Sequence, residues 1–170
     1  MTTAPDISMF SKEEIRETLD EIRHPVSIAL WGSENYFNAG SAIRTAHTFL
    51  IDKIYLIDCP AVYERAAMGC EKFENIIKIS TQDFIDKISK THTPIVAFER
   101  RADLIAEYLP NFVYPKNPIL LFGCEKFGIP DELLEIAAYK VTVPQYGIHN
   151  DMNLGNVIAI AVYDWLIKNT

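Results

Sequence analysis

The sequence has little of what marks specialised small proteins. Its three cysteines, Cys59, Cys70 and Cys124, are odd in number and widely spaced along 170 residues. They form neither a CxxC pair nor a disulfide framework, which fits a reducing, cytoplasmic setting. The four histidines (His24, His47, His92, His149) show no HxxxH or HxxE spacing, so no metal site is expected. No apolar run approaches the ~20 residues needed to span a bilayer, and no membrane role is expected. The opening stretch Met1–Ser8 has no basic or apolar block, so it does not read as a secretory signal. Positive charge is not in excess either: 16 Lys+Arg against 23 Asp+Glu leave a net charge of −7. Binding by bulk electrostatics of the histone kind is therefore excluded, because it needs many cations to displace phosphate counterions. A local basic patch is not excluded. GxGxxG, GxxxxGK[ST] and GxSxG are all missing, which disfavours a Rossmann dinucleotide site, a P-loop and a hydrolase elbow.

What is present is a core and a pattern. Apolar residues make up 49% of the chain and charged ones 23%, proportions usual for one soluble globular domain. Ser11 and Glu14 have capping-box spacing and predict a helix running to about Arg23. Strand-like segments follow at Val26–Trp31, Lys53–Asp58, Ile76–Ser80, Pro94–Glu99, Pro118–Gly123 and Val141–Pro144. Between most of them lie helical stretches at Ala39–Leu50, Gln82–Lys90, Ala102–Leu109 and Asp131–Ala138. Continuously apolar strands alternating with helices indicate one α/β domain with a mainly parallel sheet flanked by helices. The final helix, about Met152 to Lys168, carries one apolar stripe of Leu154, Val157, Ile158, Ala161, Val162, Trp165 and Leu166. A second stripe, Ile160, Tyr163 and Ile167, lies on another face. Such a helix is buried on more than one side, either within the chain or against a partner subunit.

Ligand sites of open α/β folds lie beyond the carboxyl ends of the strands, which brings three loops into view. The first, Gly32 to Ala46, holds Asn38, Gly40 and Arg44; a helix cap and a solvated cation are the plainer readings of Asn38 and Arg44. The second, Leu121 to Pro130, sets Glu125 between Gly123 and Gly128, whose glycines allow close backbone approach. Cys124 lies in this loop with no histidine near it in sequence and reads as a buried bystander thiol. The third, Val143 to Asn156, gathers Asn150, Asn153 and Asn156 at the entry to the last helix, with Asp151 as a possible N-cap.

In this order, the three loops resemble the signature motifs of the SpoU (TrmH-type) RNA 2′-O-ribose methyltransferases of the SPOUT class. The first motif is Asn38-Ala-Gly40-Ser-Ala-Ile-Arg44-Thr-Ala46, and the second is Leu121-Phe-Gly123-Cys-Glu125-Lys-Phe-Gly128-Ile129. The third is Val143-Pro144 followed by Met152-Asn153-Leu154. The segment Arg65-Ala-Ala-Met-Gly69-Cys-Glu-Lys72-Phe is similar to one found in many members. The match runs from about Ser27 to Trp165, which makes residues 25–170 the methyltransferase domain and 1–24 a helical extension.

The resemblance implies a deep trefoil knot in the C-terminal part and a homodimer contacting through the last helix. It implies S-adenosylmethionine as methyl donor, without a metal, held by Phe98, Gly123, Val143, Met152 and Leu154. Arg44, Asn38, Glu125 and Asn153 are then the catalytic group. RNA is the implied partner, tRNA before rRNA, met by Arg44, Arg65, Lys72, Arg100 and Lys126, with Arg101 nearby. One departure stands out: the family usually reads Ser-Leu-Asn where this chain has Asp151-Met152-Asn153. A knotted RNA-binding homologue without activity is the alternative, and its expected mark would be loss of Arg44 or Asn153.

Overall fold

The structure, a computed structural model, describes residues 10–32, 36–59, 61–148 and 152–170. Seven parallel strands form one sheet: β1 (His24–Trp31), β2 (Ile51–Ile57), β3 (Ile76–Ile79), β4 (Ile95–Phe98), β5 (Glu107–Tyr108), β6 (Ile119–Phe122) and β7 (Tyr139–Thr142). Their order across the sheet is β3-β2-β1-β6-β4-β7-β5. The helices are α1 (Lys12–Asp20), α2 (Tyr36–Thr48), α3 (Glu64–Ala67), α4 (Thr81–Thr91), α5 (Asp131–Glu135) and α6 (Leu154–Asn169).

Alternation within the strands divides the core in two. Ile28, Leu30, Ile54, Leu56, Val96, Phe98, Leu120 and Phe122 point into one cluster, with Ile43 of α2 and Ile158 and Trp165 of α6. Their neighbours Ala29, Tyr55, Ile57, Ile95, Ala97, Ile119 and Leu121 point into the other, with Phe84 of α4 and Leu133 of α5. Because a strand turns successive side chains to opposite faces, a parallel sheet covered on both sides needs apolar residues at every position. The run Ile119-Leu120-Leu121-Phe122 meets that requirement, and all four are buried. On α6 the first stripe is buried, Val157 and Leu166 partly so, while the second is at the surface: Ile160, Tyr163 and Ile167 are 38%, 56% and 61% exposed.

The capping box at Ser11 is present: the Ser11 side chain accepts from the Glu14 amide, and Glu14 accepts from the Ser11 amide. The helix expected over Ala102–Leu109 does not form. Leu109 precedes Pro110, a position disfavoured for the α conformation, and Glu107–Tyr108 pairs instead with Val141–Thr142 as the edge strand β5. Ile105, which the helical reading would bury, is fully at the surface.

A buried charged cluster ties α1 to the β2–β3 edge. Arg23 donates to Asp20 (2.6 Å), to Glu74 (2.7 Å) and to the carbonyls of Ile51 (3.0 Å) and Phe73 (2.7 Å). The second Glu74 oxygen faces His47 Nδ1 at 2.8 Å. Burial opposes the Arg23 charge, but Asp20 and Glu74 outweigh it and hold the guanidinium pKa above its ordinary value. Arg23 and Glu74 are both buried, so removing Arg23 would strand the Glu74 carboxylate without its guanidinium partner.

Candidate active site

The strand order places β6 between β1 and β4, so the loops after β4, β6 and β7 open together at one edge. A cleft of about 710 Å³ forms there, within the range of small-molecule sites. One side of it is the loop following β6, which doubles back on itself. The Gly128 amide donates to the Cys124 carbonyl at 2.8 Å, and the two residues form an antiparallel bridge. A Cβ on Gly123 would lie 2.1 Å from the carbonyl carbon of Gly128, so no other residue fits. Gly128 itself has φ +67°, a left-handed conformation that favours glycine.

Glu99, at the end of β4, locks this loop to the next one. Its carboxylate accepts from the Ile129 amide at 2.7 Å and from the Arg100 amide at 2.7 Å. Sequence reasoning missed Glu99 and took it for the last residue of a strand. The available signal was its position, a carboxylate at the carboxyl end of a buried strand, where ligand loops begin.

All five residues expected to hold the donor, Phe98, Gly123, Val143, Met152 and Leu154, line this one cleft. Phe98 stacks on Phe122 with ring centroids 5.0 Å apart, and Val141 and Val157 extend the apolar lining. Glu125 and Asn153 stand at its edge, with Arg100 and Lys126.

Asn153 joins the three loops. Its side-chain oxygen accepts from the Gly155 amide at 2.9 Å, which makes it the N-cap of α6. Its side-chain nitrogen faces Asn38 Oδ1 at 3.4 Å and Glu125 Oε1 at 3.3 Å. The cap expected at Asp151 is thus supplied by Asn153; Asp151 lies outside the described residues. Asn38 is buried, unlike the exposed Glu125 and Asn153.

The basic candidates separate into two groups. Arg100 and Lys126 border the cleft, and Lys126 lies over the Phe127 ring at 4.8 Å. Arg44, Arg65 and Lys72 are exposed on α2, on α3 and on the 3-10 turn Cys70–Lys72. None of these three lines the cleft. Burial pushes the Cys70 thiol pKa up, Glu74 adds to this, and the Arg44 charge pulls against them. Arg101 is held by Asp103 and Asp131, at 2.7 and 2.6 Å. Among the described residues no group of three His, Cys, Asp or Glu could hold a metal ion, and no helix is long and apolar enough to cross a membrane.

An open parallel sheet, with a ligand-sized cleft at its strand ends and three polar loops meeting there, defines an α/β protein of the small-molecule-binding class. The match to known families narrows this: residues 25–163 fit the SpoU rRNA Methylase family. The chain belongs to that family. A tRNA (guanosine(18)-2′-O)-methyltransferase of Aquifex aeolicus is 25% identical over 161 residues, covering 89% of this chain and 74% of that one. The crystal structure of the A. aeolicus TrmH/SpoU tRNA modifying enzyme superposes with a TM-score of 0.79 at 21% identity, covering 92% of this chain and 81% of that one. The AdoMet-bound rRNA methyltransferase of Sinorhizobium meliloti gives a TM-score of 0.75 at 28% identity; 89% of this chain spans 60% of that one.

Proposed function

We propose that this protein methylates a ribose 2′-hydroxyl of tRNA with S-adenosylmethionine as donor. The observation that carries this reading is the meeting at Asn153 of buried Asn38 from α2 and Glu125 from the loop after β6, with Glu125 and Asn153 lining the cleft. Supporting it are the family match, the tRNA 2′-O-methyltransferase relative and the AdoMet-bound neighbour.

The cleft fits the donor chemically. Phe98, Val143, Met152 and Leu154 offer an apolar bed, and a side chain at Gly123 would close it. When bound, S-adenosylmethionine supplies a methyl group on a sulfonium sulfur, which leaves as a neutral thioether. The chain's own task is to bring a 2′-oxygen in line with that methyl and to stabilise it as its proton passes to solvent water. Arg44 lies outside the cleft lining and so serves the acceptor side: its guanidinium holds the adjoining phosphate through its forked donors and stabilises the developing alkoxide by its positive charge. Asn38, Glu125 and Asn153 orient the ribose for attack. Arg65, Lys72, Arg100 and Lys126 contribute the remaining phosphate contacts.

Two further features belong to this reading. The exposed stripe Ile160, Tyr163 and Ile167 supports a homodimer through α6, and the placing of β6 and β7 between earlier strands is compatible with a knotted chain. Residues 1–24 then form an appendage to the catalytic domain.

The test is methyl transfer from labelled donor to bulk tRNA and to rRNA. Wild type should label tRNA, and Arg44→Ala should lose about 10²- to 10³-fold in kcat while still binding the donor product S-adenosylhomocysteine. If wild type labels neither pool, the enzymatic reading fails.

A further inference from the structure

Beside the catalytic constellation lies a feature that the transfer chemistry leaves unused. Phe37 and Tyr63 are 56% and 45% exposed, yet their rings face one another with centroids 6.5 Å apart and planes tilted by 31°. Two exposed aromatic rings set together present an apolar, π-rich surface of the kind enriched at interfaces. Met68, on the same short segment as α3, is also exposed.

Three observations fix where this pair sits. Phe37 directly precedes Asn38, the buried amide that Asn153 contacts. Phe37 and Arg44 are seven residues apart in α2, so they share a face and stand roughly 10 Å apart along the axis. Finally, α3 is seated on α2 at Gly40, where a Cβ would come within 2.7 Å of both the Tyr63 carbonyl oxygen and Ala66 Cβ. The Tyr63 backbone is therefore packed closely against α2 at Gly40. Arg65 stands exposed two residues beyond Tyr63, next to the exposed acid Glu64.

We propose that Phe37 and Tyr63 form a stacking platform for an unpaired base of the RNA, placed so that a neighbouring phosphate reaches Arg44. The occupant is argued from the cations flanking the rings and from continuity with the Asn38–Asn153 junction. A base offers a flat π-face to the rings, while its phosphate matches the guanidinium fork. The acceptor nucleotide must be splayed out of any helix before its ribose can enter such a site, and stacking offsets the cost of exposing it. This inference rests on the RNA methyltransferase reading and adds to it a base-holding subsite distinct from the donor cleft.

The experiment compares wild type, Phe37→Ala/Tyr63→Ala and Phe37→Leu/Tyr63→Leu with bulk tRNA as methyl acceptor. Both double variants should raise the tRNA KM about 5- to 100-fold, since leucine keeps apolar bulk but has no π-face. Tyr63→Phe should keep the wild-type KM. Affinity for S-adenosylhomocysteine and the sedimentation coefficient should be unchanged in every variant. Phe37→Trp should add a fluorescence contribution, read by difference against wild type, that bulk tRNA quenches and S-adenosylhomocysteine does not. An unchanged tRNA KM in the double variants, with wild type active, overturns the platform and leaves the methyltransferase reading standing. So does a lowered sedimentation coefficient, which would mean that a second copy of the chain covers the rings. Absence of transfer by wild type removes both readings.

Discussion

The cleft after β4, β6 and β7 and the exposed α2–α3 face, linked where Asn153 contacts Asn38 of α2, are built by opposite means. One wall of the cleft is backbone architecture: Gly123 and Gly128 fold one loop onto itself, and the Glu99 carboxylate fastens it to the end of β4. The α2–α3 face is side-chain architecture, with Arg44, Phe37, Tyr63 and Arg65 projecting from helices whose own packing is small and tight. Backbone walls recognise by shape and fail abruptly when a single carbon is added. Projecting side chains recognise by charge and π-surface, and lose function gradually when trimmed.

That contrast can be broken in several places. The largest effect is expected from Gly123→Ala, whose Cβ would overlap the Gly128 backbone at 2.1 Å. Backbone cannot rotate aside as a side chain does, so donor binding should be abolished and stability lowered by several kcal/mol. Titration with S-adenosylhomocysteine and thermal unfolding would check it. If the variant binds normally, the cleft is not walled as described.

Asn153 stands on both sides of the comparison. Asn153→Ala should lose about 1 kcal/mol of stability with the α6 cap and also lose most methyl transfer. Asn153→Asp keeps an acceptor for the Gly155 amide but cannot donate to Asn38 or Glu125, and brings a second carboxylate towards Glu125. It should restore the melting temperature and not the activity. Recovery of both would reduce Asn153 to a cap.

Glu99→Gln should weaken the loop fastening, because a neutral oxygen is a poorer acceptor for the Ile129 amide at 2.7 Å than a carboxylate. The donor KM should rise roughly 10-fold, corresponding to about 1.4 kcal/mol, with the tRNA KM unchanged. A rise in the tRNA KM instead would show that the two regions are not separable.

The smallest effect lies away from both regions. Tyr114 donates to the Ala161 carbonyl at 3.3 Å and to Asp164 at 3.1 Å. Burial first, and the Asp164 charge second, push its phenol pKa well above the ordinary value of 10.0. The sign follows directly: the folded state holds the proton more tightly, so this contribution is intact below pH ~10 and declines as pH rises above it. Tyr114→Phe should cost about 1 kcal/mol at neutral pH and close that gap in denaturant titrations above pH ~10. A gap independent of pH would dissociate Tyr114 from alkaline unfolding.

Legibility in the sequence followed locality. Six of the seven strands were readable because continuously apolar runs such as Ile119–Phe122 have few other uses, and α1 was readable from a box three residues wide. The false helix at Ala102–Leu109 arose because Leu104, Ile105 and Leu109 have helical spacing, while strand β5 has only two residues and depends on an existing edge at β7. Four-residue α3 was likewise invisible, since its formation depends on packing against Gly40. The cleft-lining residues were named through motif resemblance, whereas Glu99 and the Phe37–Tyr63 pair lay outside those motifs.

The amino-acid sequence by itself determined the alternation of buried strands and amphipathic helices, the loops rich in glycine and amide side chains, and the double stripe of α6. It also determined a composition too acidic for indiscriminate attachment to nucleic acid. Only the tertiary structure decided that β6 enters between β1 and β4. Strands buried on both faces are apolar throughout, so their patterns carry no record of which neighbours they choose. That choice brings Asn38 and Asn153, 115 residues apart, into contact, while Arg44 stays exposed on α2 and does not line the cleft.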